Sequence, residues 1–269
     1  MKKINIVLRT CDRKSIQSNR IVDKQECVIR CFNALAKSVK KLTSPYSVYV
    51  IDDGSSESTI QALKNIMPEA TIVVAEKIND VNLNAKQRSR RTVKMAYNYI
   101  LSLPDDELVY TVEDDYLHYE DSIQKIVEAW EYFKHILPDK EIGIFPQDFK
   151  QLYFDPRHLF NETYVRQCHV IPGPDRYYRT TWFTHESFMV ETNLIKKYQE
   201  MFYLLQDIGT INGYWEGNTI SNVWTKPDVV MLMPLRTLAI HLGCKDDISY
   251  YTDWKKLWKQ NNYTAQVGA

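Results

Sequence analysis

The first half of the sequence alternates short apolar runs with longer segments of helical periodicity. The apolar runs have the length of β-strands and are rich in β-branched and aromatic residues, at positions 4–8, 47–51, 70–75 and 108–112. Between and after them, apolar residues recur every three or four positions over helix-length segments, at 28–42, 58–66, 84–101 and 121–137. This alternation predicts βαβ units, in which helices cover both faces of a mainly parallel sheet. The sequence therefore predicts an α/β fold.

The alternation is lost after a strand predicted at 142–145. Residues 146–181 are rich in Pro, Tyr, Arg and Asp and are predicted to form long loops, which in compact domains are usually functional. Regular structure is predicted again further on, as strands at 187–190 and 229–233 and helices at 193–204, 218–224 and 250–260. The sequence shows no internal repeat and no linker, so we expect one domain over residues 1–269.

Composition bears on partners and on location. The 34 basic residues balance the 34 acidic ones, so the net charge does not indicate binding to nucleic acid or to an anionic membrane. The five cysteines are odd in number and lack the spacing of a zinc site, so we expect reduced thiols, with Cys27 and Cys31 on one helix face in the core. No apolar run reaches the length of a membrane span, and the first one is too short for a signal peptide. We therefore expect a cytoplasmic protein.

Polar side chains follow three of the predicted strands, at the point where each strand ends. They form the segments Thr10–Arg13, Asp52–Ser56 and Glu113–Asp115. The carboxyl ends of parallel strands meet at one edge of a sheet, and open α/β sheets bind their ligands at that edge. Three consecutive carboxylates repel one another unless a cation neutralises them, and a divalent ion with oxygen ligands is the natural candidate. The alternative interpretation is a solvated acidic turn before the next helix.

Two of these segments resemble motifs of a known family. The segment Asp52–Ser56, with the sequence DDGSS, resembles the strand-end motif of the family 2 glycosyltransferases, and Glu113–Asp115 resembles their Asp-x-Asp element. The resemblance covers residues 4–120 well. It implies a GT-A fold, the Rossmann-like fold of nucleotide-diphospho-sugar transferases, with flanking helices around a mainly parallel mixed sheet. Residues 1–120 would be the nucleotide-sugar-binding half and residues 121–269 the acceptor-binding half.

The resemblance implies separate roles for the strand-end acids. Asp115 matches the position that binds the metal directly, and Glu113 matches a position near the ribose that also reaches the metal through water. Asp114 is assigned to the donor site with the least specific role, and all-oxygen ligands fit Mn²⁺ or Mg²⁺. Asp53 matches the position that hydrogen-bonds the base, commonly uracil, with Asp52 beside it. The same segment is also good turn and helix-capping chemistry, and both interpretations are compatible.

Basic residues and a threonine complete the predicted donor contacts. Thr10 and Arg13 follow the first strand and are candidates to contact the base or the diphosphate. Arg88 lies near the start of the third predicted helix, where the helix N-terminus and basic side chains favour an anion. The glycine that the family carries in this region is absent. For Arg90, Arg91 and Lys94, a solvated basic face is the alternative interpretation.

The second half supplies candidates for the metal and for the acceptor side. His241 matches the order of a late metal-binding histidine in GT-A enzymes, although a histidine after an apolar run is more often a core residue. Glu216 resembles the catalytic base of the family, which would deprotonate the acceptor hydroxyl, and Glu186 is the rival base. A helix cap or a surface acid is the alternative for both glutamates. Aromatic residues near these acids are candidates for an acceptor platform: Trp182, Tyr214 and Trp215.

The predicted function is metal-dependent transfer of a hexosyl or pentosyl group from a nucleotide-diphospho-sugar, preferably a UDP-sugar, to an acceptor hydroxyl. Inversion of configuration is implied by the family and by one carboxylate base. The acceptor stays open between a glycan, a protein, a lipid-linked sugar and a hydroxymethylated DNA base, which would have to be flipped out of its helix. The alternatives are a nucleotidyltransferase, which normally has a Gly-rich phosphate loop that residues 9–16 lack, and a non-catalytic nucleotide-sugar-binding domain.

Overall fold

The computed structural model describes residues 1–13, 22–75, 85–149, 168–204, 219–243, 245–249 and 251–263, without the side chains of residues 85–88 and 246. The strands in these ranges are β1 (Ile4–Thr10), β2 (Tyr46–Asp52), β3 (Thr71–Val74), β4 (Leu108–Glu113), β5 (Tyr116–His118), β6 (Glu141–Ile144), β7 (Val170–Pro172), β8 (Tyr177–Thr180), β9 (Phe188–Glu191), β10 (Val229–Pro234) and β11 (Ala239–His241). The α-helices are α1 (Lys24–Val39), α2 (Glu57–Ile66), α3 (Ala85–Leu101), α4 (Ser122–Ile136), α5 (Thr192–Lys197), α6 (Gln199–Leu204) and α7 (Trp254–Gln260). Two 3₁₀ turns cover Ile220–Thr225 and Lys245–Asp247. None of the helices in the described ranges combines the length and the apolar character that a membrane span requires.

Nine of the described strands form one mixed sheet in the order β3-β2-β1-β4-β9-β6-β10-β8-β7. The strands β3, β2, β1 and β4 are parallel, as are β6 and β10, and β9 lies antiparallel between β4 and β6. The chain moves outward from β1 to β2 and β3 and then crosses to β4 on the other side of β1. Open α/β sheets bind ligands beside such a reversal of strand order. The predicted α/β fold with a mainly parallel mixed sheet and flanking helices is confirmed.

The side chains of β1 divide between two cores, one on each face of the sheet. Ile4, Ile6 and Leu8 belong to the core built with α1, α2 and α4, whereas Val7 belongs to the core built with α3, α5 and α6. Successive residues of a strand point to opposite faces, so a strand covered on both faces needs apolar residues at most positions, and in β1 the buried Asn5 is the one polar residue between Ile4 and Leu8. This requirement explains why the run 4–8 was recognisable as a buried strand in the sequence.

A separate two-stranded antiparallel sheet pairs β5 with β11 and places Tyr116 opposite His241. It packs against α1 through a third apolar cluster, in which Cys27 and Cys31 are buried with Leu117. The predicted core position of both cysteines is confirmed, and the cysteines that the structure describes are free thiols. Neither strand is predictable from the sequence, because a segment of three residues is too short to show an alternating pattern.

The second half departs from the predicted elements. The predicted helix 193–204 is two short helices, α5 and α6, and the predicted helix 218–224 is a 3₁₀ turn. The predicted loop region 146–181 contains β7 and β8, which extend the sheet beyond β10. The predicted helix 250–260 is shorter and begins at Trp254. Short elements of this kind are formed by pairing with a neighbouring strand, so local sequence carries little signal for them.

Candidate active site

The polar ends of β1, β2 and β4 lie together at the carboxyl edge of the sheet. The strand register pairs Thr10 with Asp52 and Arg9 with Glu113, so the three strands end at the same level. The Asp53 amide donates a hydrogen bond of 2.9 Å to the Thr10 carbonyl, which continues the ladder past the end of β2. The common edge that the sequence predicted for these segments is confirmed.

Asp53 is a buried carboxylate, 5% exposed, that two arginines hold in place. Arg91 Nη2 donates to Asp53 Oδ1 at 2.8 Å. The Arg13 guanidinium donates to Asp53 Oδ2 and to the Asp53 carbonyl. Burying a carboxylate is unfavourable unless cations or donors compensate for the lost hydration, and the two guanidinium groups do so here. Each oxygen of an ionised carboxylate has two acceptor positions, so these contacts leave Asp53 able to accept from a ligand as well.

Arg91 lies three residues after Arg88, on the same face of α3. The Arg88 side chain lies outside the described residues, and Arg91 is the residue of α3 seen to contact the end of β2. The alternative of a solvated basic face is wrong for Arg90, which is 6% exposed, and for Arg91, whose side chain is 13% exposed, whereas Lys94 is exposed as that alternative predicts. The spacing of three residues from Arg88 is the signal that would have identified Arg91.

The turn after β2 is closed by polar side chains of the strand ends. Asp52 is fully buried, and its Oδ2 accepts from the Ser55 amide at 2.8 Å. Burial raises the pKa of Asp52, against the effect of the hydrogen bonds it receives. Asp12 accepts from the Ser56 amide at 3.0 Å and so ties the loop after β1 to the same turn. Asp52 therefore stabilises the turn, and the carboxylate of Asp53 lies at the edge of the sheet.

Asp114 connects the loop after β1 to the start of α1. Its Oδ2 accepts from the Cys11 amide at 2.8 Å, and its Oδ1 forms an ion pair with Lys24. Both carboxylate oxygens of Asp114 thus contact other residues of the protein, and the Lys24 side chain is buried. Among the three consecutive acids, Asp114 thus has a structural role: it fixes the segment Glu113–Asp115 relative to the loop after β1.

Arg9 lies between two carboxylates at the end of β4. Its Nη2 is 3.4 Å from Glu113 Oε1 and forms a closer ion pair with the buried Glu186. Burial, opposed by Arg9 and reinforced by Asp115 and Glu186, raises the pKa of Glu113 to about 8. The local carboxylates thus outnumber the cationic groups that neutralise them, and this imbalance favours the binding of a cation.

Asp115 faces His241 where β4 leads into the small β5–β11 sheet. His241 Nε2 lies 3.3 Å from Asp115 Oδ1, and His241 Nδ1 lies 2.7 Å from Asp247 Oδ2. The Leu242 amide donates to the Asp115 carbonyl at 2.8 Å, and the Tyr116 ring stacks on the His241 ring with centroids 5.1 Å apart. Burial alone would lower the pKa of His241, but the two carboxylates outweigh it and hold that pKa well above its usual value. The imidazole is therefore fixed between two acids.

The residues at this position fit a divalent cation. Asp115 and Asp247 supply carboxylate oxygens, and the donor atoms of His185, His241 and Asp247 lie within 4.8 Å of one another. Gly243 keeps the space open, because a Cβ there would lie 2.5 Å from His241 Nε2 and 3.1 Å from Asp115 Oδ2. Carboxylate oxygens and imidazole nitrogens are a donor set that suits first-row divalent metal ions.

The family follows from comparison with known sequences. The sequence model of glycosyl transferase family 2 matches residues 19–201, which is more than half of the chain. The chain belongs to this family. The curated proteins contain no significant match to it.

Solved structures of S. aureus TarS have the fold of this family 2 glycosyltransferase domain. A TarS structure that is 12% identical superposes with a TM-score of 0.50 over 88% of this chain and 36% of that chain. A structure of TarS residues 1–349, 13% identical, also gives a TM-score of 0.50, over 88% of this chain and 59% of that chain. The present chain thus spans less than two thirds of the length of these structures, and the likeness at this identity concerns the fold alone.

The residues predicted for the acceptor side are described only in part. Trp182 is partly buried, and its ring meets the Phe183 ring edge-on at 6.0 Å. Glu186 lies at the carboxyl edge of the sheet, where it pairs with Arg9. Three predicted residues lie outside the described residues: Tyr214, Trp215 and Glu216.

Two residues of the site were not predicted from the sequence. Asp247 lies six positions after His241 in a 3₁₀ turn, and a neighbouring glutamine, Gln147, donates to its carbonyl at 2.8 Å. His185 directly precedes the predicted rival base, Glu186. An acid shortly after a late histidine is a weak signal that would have suggested Asp247, whereas local sequence contains no signal for His185.

Proposed function

We propose that this chain transfers a sugar from a nucleotide-diphospho-sugar to an acceptor hydroxyl, in a reaction that depends on a divalent cation. The observation that carries the proposal is that one sheet edge presents both Asp53, held by Arg91, and Asp115, which lies 3.3 Å from His241. Membership of glycosyl transferase family 2 supports it and favours sugar transfer over nucleotidyl transfer. A UDP-sugar is the proposed donor, because Asp53 resembles the position that commonly binds uracil.

The nucleotide half of the proposed site is built on Asp53. Its carboxylate would accept a hydrogen bond from the imide N–H of uracil, while Arg13 and Arg91 hold it in place. Thr10, buried next to it at the end of β1, and Arg88, on the helix face of Arg91, are the proposed contacts to the base and the diphosphate. Ligand and arginines use different acceptor positions of the carboxylate, so they do not compete.

The cation half of the proposed site is built on Asp115 and His241. These residues would hold Mn²⁺ or Mg²⁺, with Glu113 toward the ribose or reaching the ion through water. When bound, the ion acts as a Lewis acid on diphosphate oxygens and so stabilises the charge that develops on the leaving group. The protein itself contributes the orientation of the histidine and the open space at Gly243.

The acceptor half of the proposed site lies in residues 121–269. Glu216 is the proposed base, which takes the proton of the acceptor hydroxyl while that oxygen attacks the anomeric carbon from the face opposite the diphosphate. This geometry inverts the configuration at that carbon. Glu186 is the weaker candidate, because its buried carboxylate is engaged by Arg9. The proposed acceptor platform consists of Trp182, Tyr214 and Trp215.

Turnover of a nucleotide-sugar panel tests the proposal. We expect hydrolysis or transfer with a UDP-sugar in the presence of Mn²⁺ and loss of both when the metal is chelated. An acceptor screen that includes glycans, peptides, lipid-linked sugars and hydroxymethylated DNA then identifies the acceptor class. A nucleotidyltransferase would instead release pyrophosphate from a nucleoside triphosphate and a sugar phosphate. The absence of both binding and turnover with every nucleotide-sugar tested would contradict the proposal.

A further inference from the structure

The cation site contains a second imidazole for which the proposed function has no role. The donor atoms of His185, His241 and Asp247 lie within 4.8 Å of one another. Two ligands on opposite sides of one ion, each bound at about 2.1 Å, lie about 4.2 Å apart. Side-chain movements of about half an ångström therefore bring all three donors onto a single ion.

The backbone at His185 is held on both sides. The preceding Thr184 is fully buried, and its hydroxyl accepts from Trp224 Nε1 at 2.7 Å. The following Glu186 is buried and ion-paired with Arg9 at the end of β1. Because both neighbours are fixed to other elements, the position of the His185 side chain is set by the fold rather than by a free loop.

The ring of His185 lies between aromatic side chains and the cation site. Its centroid is 4.9 Å from the Phe149 ring and 5.6 Å from the Phe183 ring, and 5.0 Å from the His241 ring. The two phenyl rings restrict its orientation. Packing against phenyl rings requires only a ring of the right size, which phenylalanine also supplies. The imidazole nitrogens add the capacity to bind a metal ion.

We infer that His185 is a ligand of the cation, and that the site therefore takes a transition-metal dication such as Mn²⁺ or Co²⁺ in preference to Mg²⁺. This inference rests on the proposed function and concerns the same site. With His185 and His241 the site offers two nitrogen donors beside the carboxylates of Asp115 and Asp247. First-row transition ions accept imidazole ligands, whereas Mg²⁺ prefers oxygen ligands and retains several waters. His185 is thus a selectivity residue for the metal.

Matched variants separate metal binding from packing. His185→Phe keeps a ring beside Phe149 and Phe183 and removes the nitrogens, and His185→Gln is a second variant that removes the imidazole without enlarging the side chain. His135→Phe is the control, because His135 is exposed in the last turn of α4. Calorimetry gives the dissociation constants of Mn²⁺, Co²⁺ and Mg²⁺, each added alone and in the presence of UDP.

We expect both His185 variants to bind Mn²⁺ and Co²⁺ about 10-fold or more weakly than the wild type. Their affinity for Mg²⁺ should change by less than about 3-fold, because Mg²⁺ gains little from an imidazole. The His135 control should bind all three ions as the wild type does. Pulsed electron paramagnetic resonance of bound Mn²⁺ should detect two coupled nitrogen nuclei in the wild type and one in His185→Phe.

The outcomes that overturn the inference differ from those that overturn the proposed function. If the His185 variants bind Mn²⁺ and Co²⁺ as the wild type does while Asp115→Asn loses both ions, His185 only packs and the inference is wrong. In that case the proposed function stands. If Asp115→Asn also keeps its cation affinity, and turnover needs no metal, then the cation-dependent function and the inference both fail.

Discussion

Arg91 Nη2 lies 2.8 Å from Asp53 Oδ1, and this ion pair joins the second turn of α3 to the end of β2. The carboxylate that we propose to read the base is therefore oriented by a helix on one face of the sheet before any ligand binds. Arg13 holds the other oxygen from the loop after β1. The proposed donor site is thus assembled from three separate segments of the chain.

Replacing Arg91 with alanine should weaken binding of the donor. Asp53 would lose one of its two guanidinium partners and with it part of its orientation, so we expect the KM for the nucleotide-sugar to rise about 10-fold, which corresponds to about 1.4 kcal/mol. The kcat should change much less, because the reacting atoms are elsewhere. Lys94→Ala, an exposed position of the same helix, is the control. An unchanged KM in Arg91→Ala would contradict the proposed role.

Replacing Asp115 with asparagine should abolish metal-dependent turnover and leave the fold intact. The kcat should fall about 100-fold or more, because Lewis-acid stabilisation of a leaving group is worth several kcal/mol. The melting temperature should fall moderately, since the substitution removes one of the two carboxylates that face the buried His241. Chelation of the metal should lower wild-type activity to the level of the variant and leave the variant itself unaffected. Full activity in Asp115→Asn would exclude the acidic triplet, Glu113–Asp115, as the metal site.

Replacing Asp247 with asparagine should weaken cation binding by about 10- to 100-fold. The Asp247 carboxylate lies 2.7 Å from His241 Nδ1, so its loss removes either a ligand or the group that orients the histidine. Titration with Mn²⁺ measures the effect, and Asp139→Asn, at an exposed turn before β6, is the matched control. Equal affinities in the two variants would show that Asp247 has no part in the site.

Replacing Gly243 with alanine should displace the histidine of the site. The new Cβ would lie 2.5 Å from His241 Nε2, so the ring must move, and we expect Mn²⁺ affinity to fall about 10-fold. Gly54→Ala is the comparison: Gly54 has a φ of +74° and open space around the new Cβ, so it should lose about 1 kcal/mol of stability. Its Mn²⁺ affinity should stay unchanged. If Gly243→Ala keeps its Mn²⁺ affinity while Gly54→Ala loses it, the space at Gly243 has no functional importance.

Stability should depend on pH through the buried His118. Its Nδ1 donates to the Tyr116 carbonyl at 3.0 Å, and its Nε2 accepts from the Tyr110 hydroxyl at 2.8 Å. Burial lowers the pKa of His118 from 6.5 to about 4, so the unfolded chain takes up a proton at a higher pH than the folded one. The contribution of His118 is therefore complete above about pH 6.5 and is lost as the pH falls toward 4.

The size of this effect is measured against a variant without the imidazole. Between pH 7 and pH 5, the wild type should lose about 2 kcal/mol of unfolding free energy more than His118→Gln does. Urea denaturation at several pH values gives both free energies. A difference between the two proteins that does not change with pH would show that His118 has the same pKa in both states.

The first half of the fold could be predicted because its signals are local. The runs at 4–8 and 108–112 are apolar at every position except the buried Asn5 and Thr111, since both faces of these strands are covered. The segment Asp52–Ser56 carries the chemistry of its own turn. Once strands are parallel, their carboxyl ends must share an edge, so the position of Asp53 at the same edge as Glu113–Asp115 followed from topology. The predicted site roles themselves stay predictions.

The second half could not be predicted to the same extent. The strands β5 and β11 have three residues each and exist because they pair with each other across a long stretch of chain. The helix predicted as one unit at 193–204 is broken after Lys197, and β7 and β8 arise by pairing on β10. Elements of this length obtain their stability from neighbours, so their own residues do not specify them.

The sequence by itself determined an α/β sheet covered on both faces and the position of its acidic strand ends at one edge. Only the tertiary structure decided which side chains from other segments of the chain contact these acids. Arg91 meets Asp53 because a helix packs over the sheet, and His241 meets Asp115 because a short strand pairs beside the triplet. Periodicity and turn chemistry act over a few residues and can be read from the chain, whereas contacts between distant segments depend on packing, which local sequence does not encode.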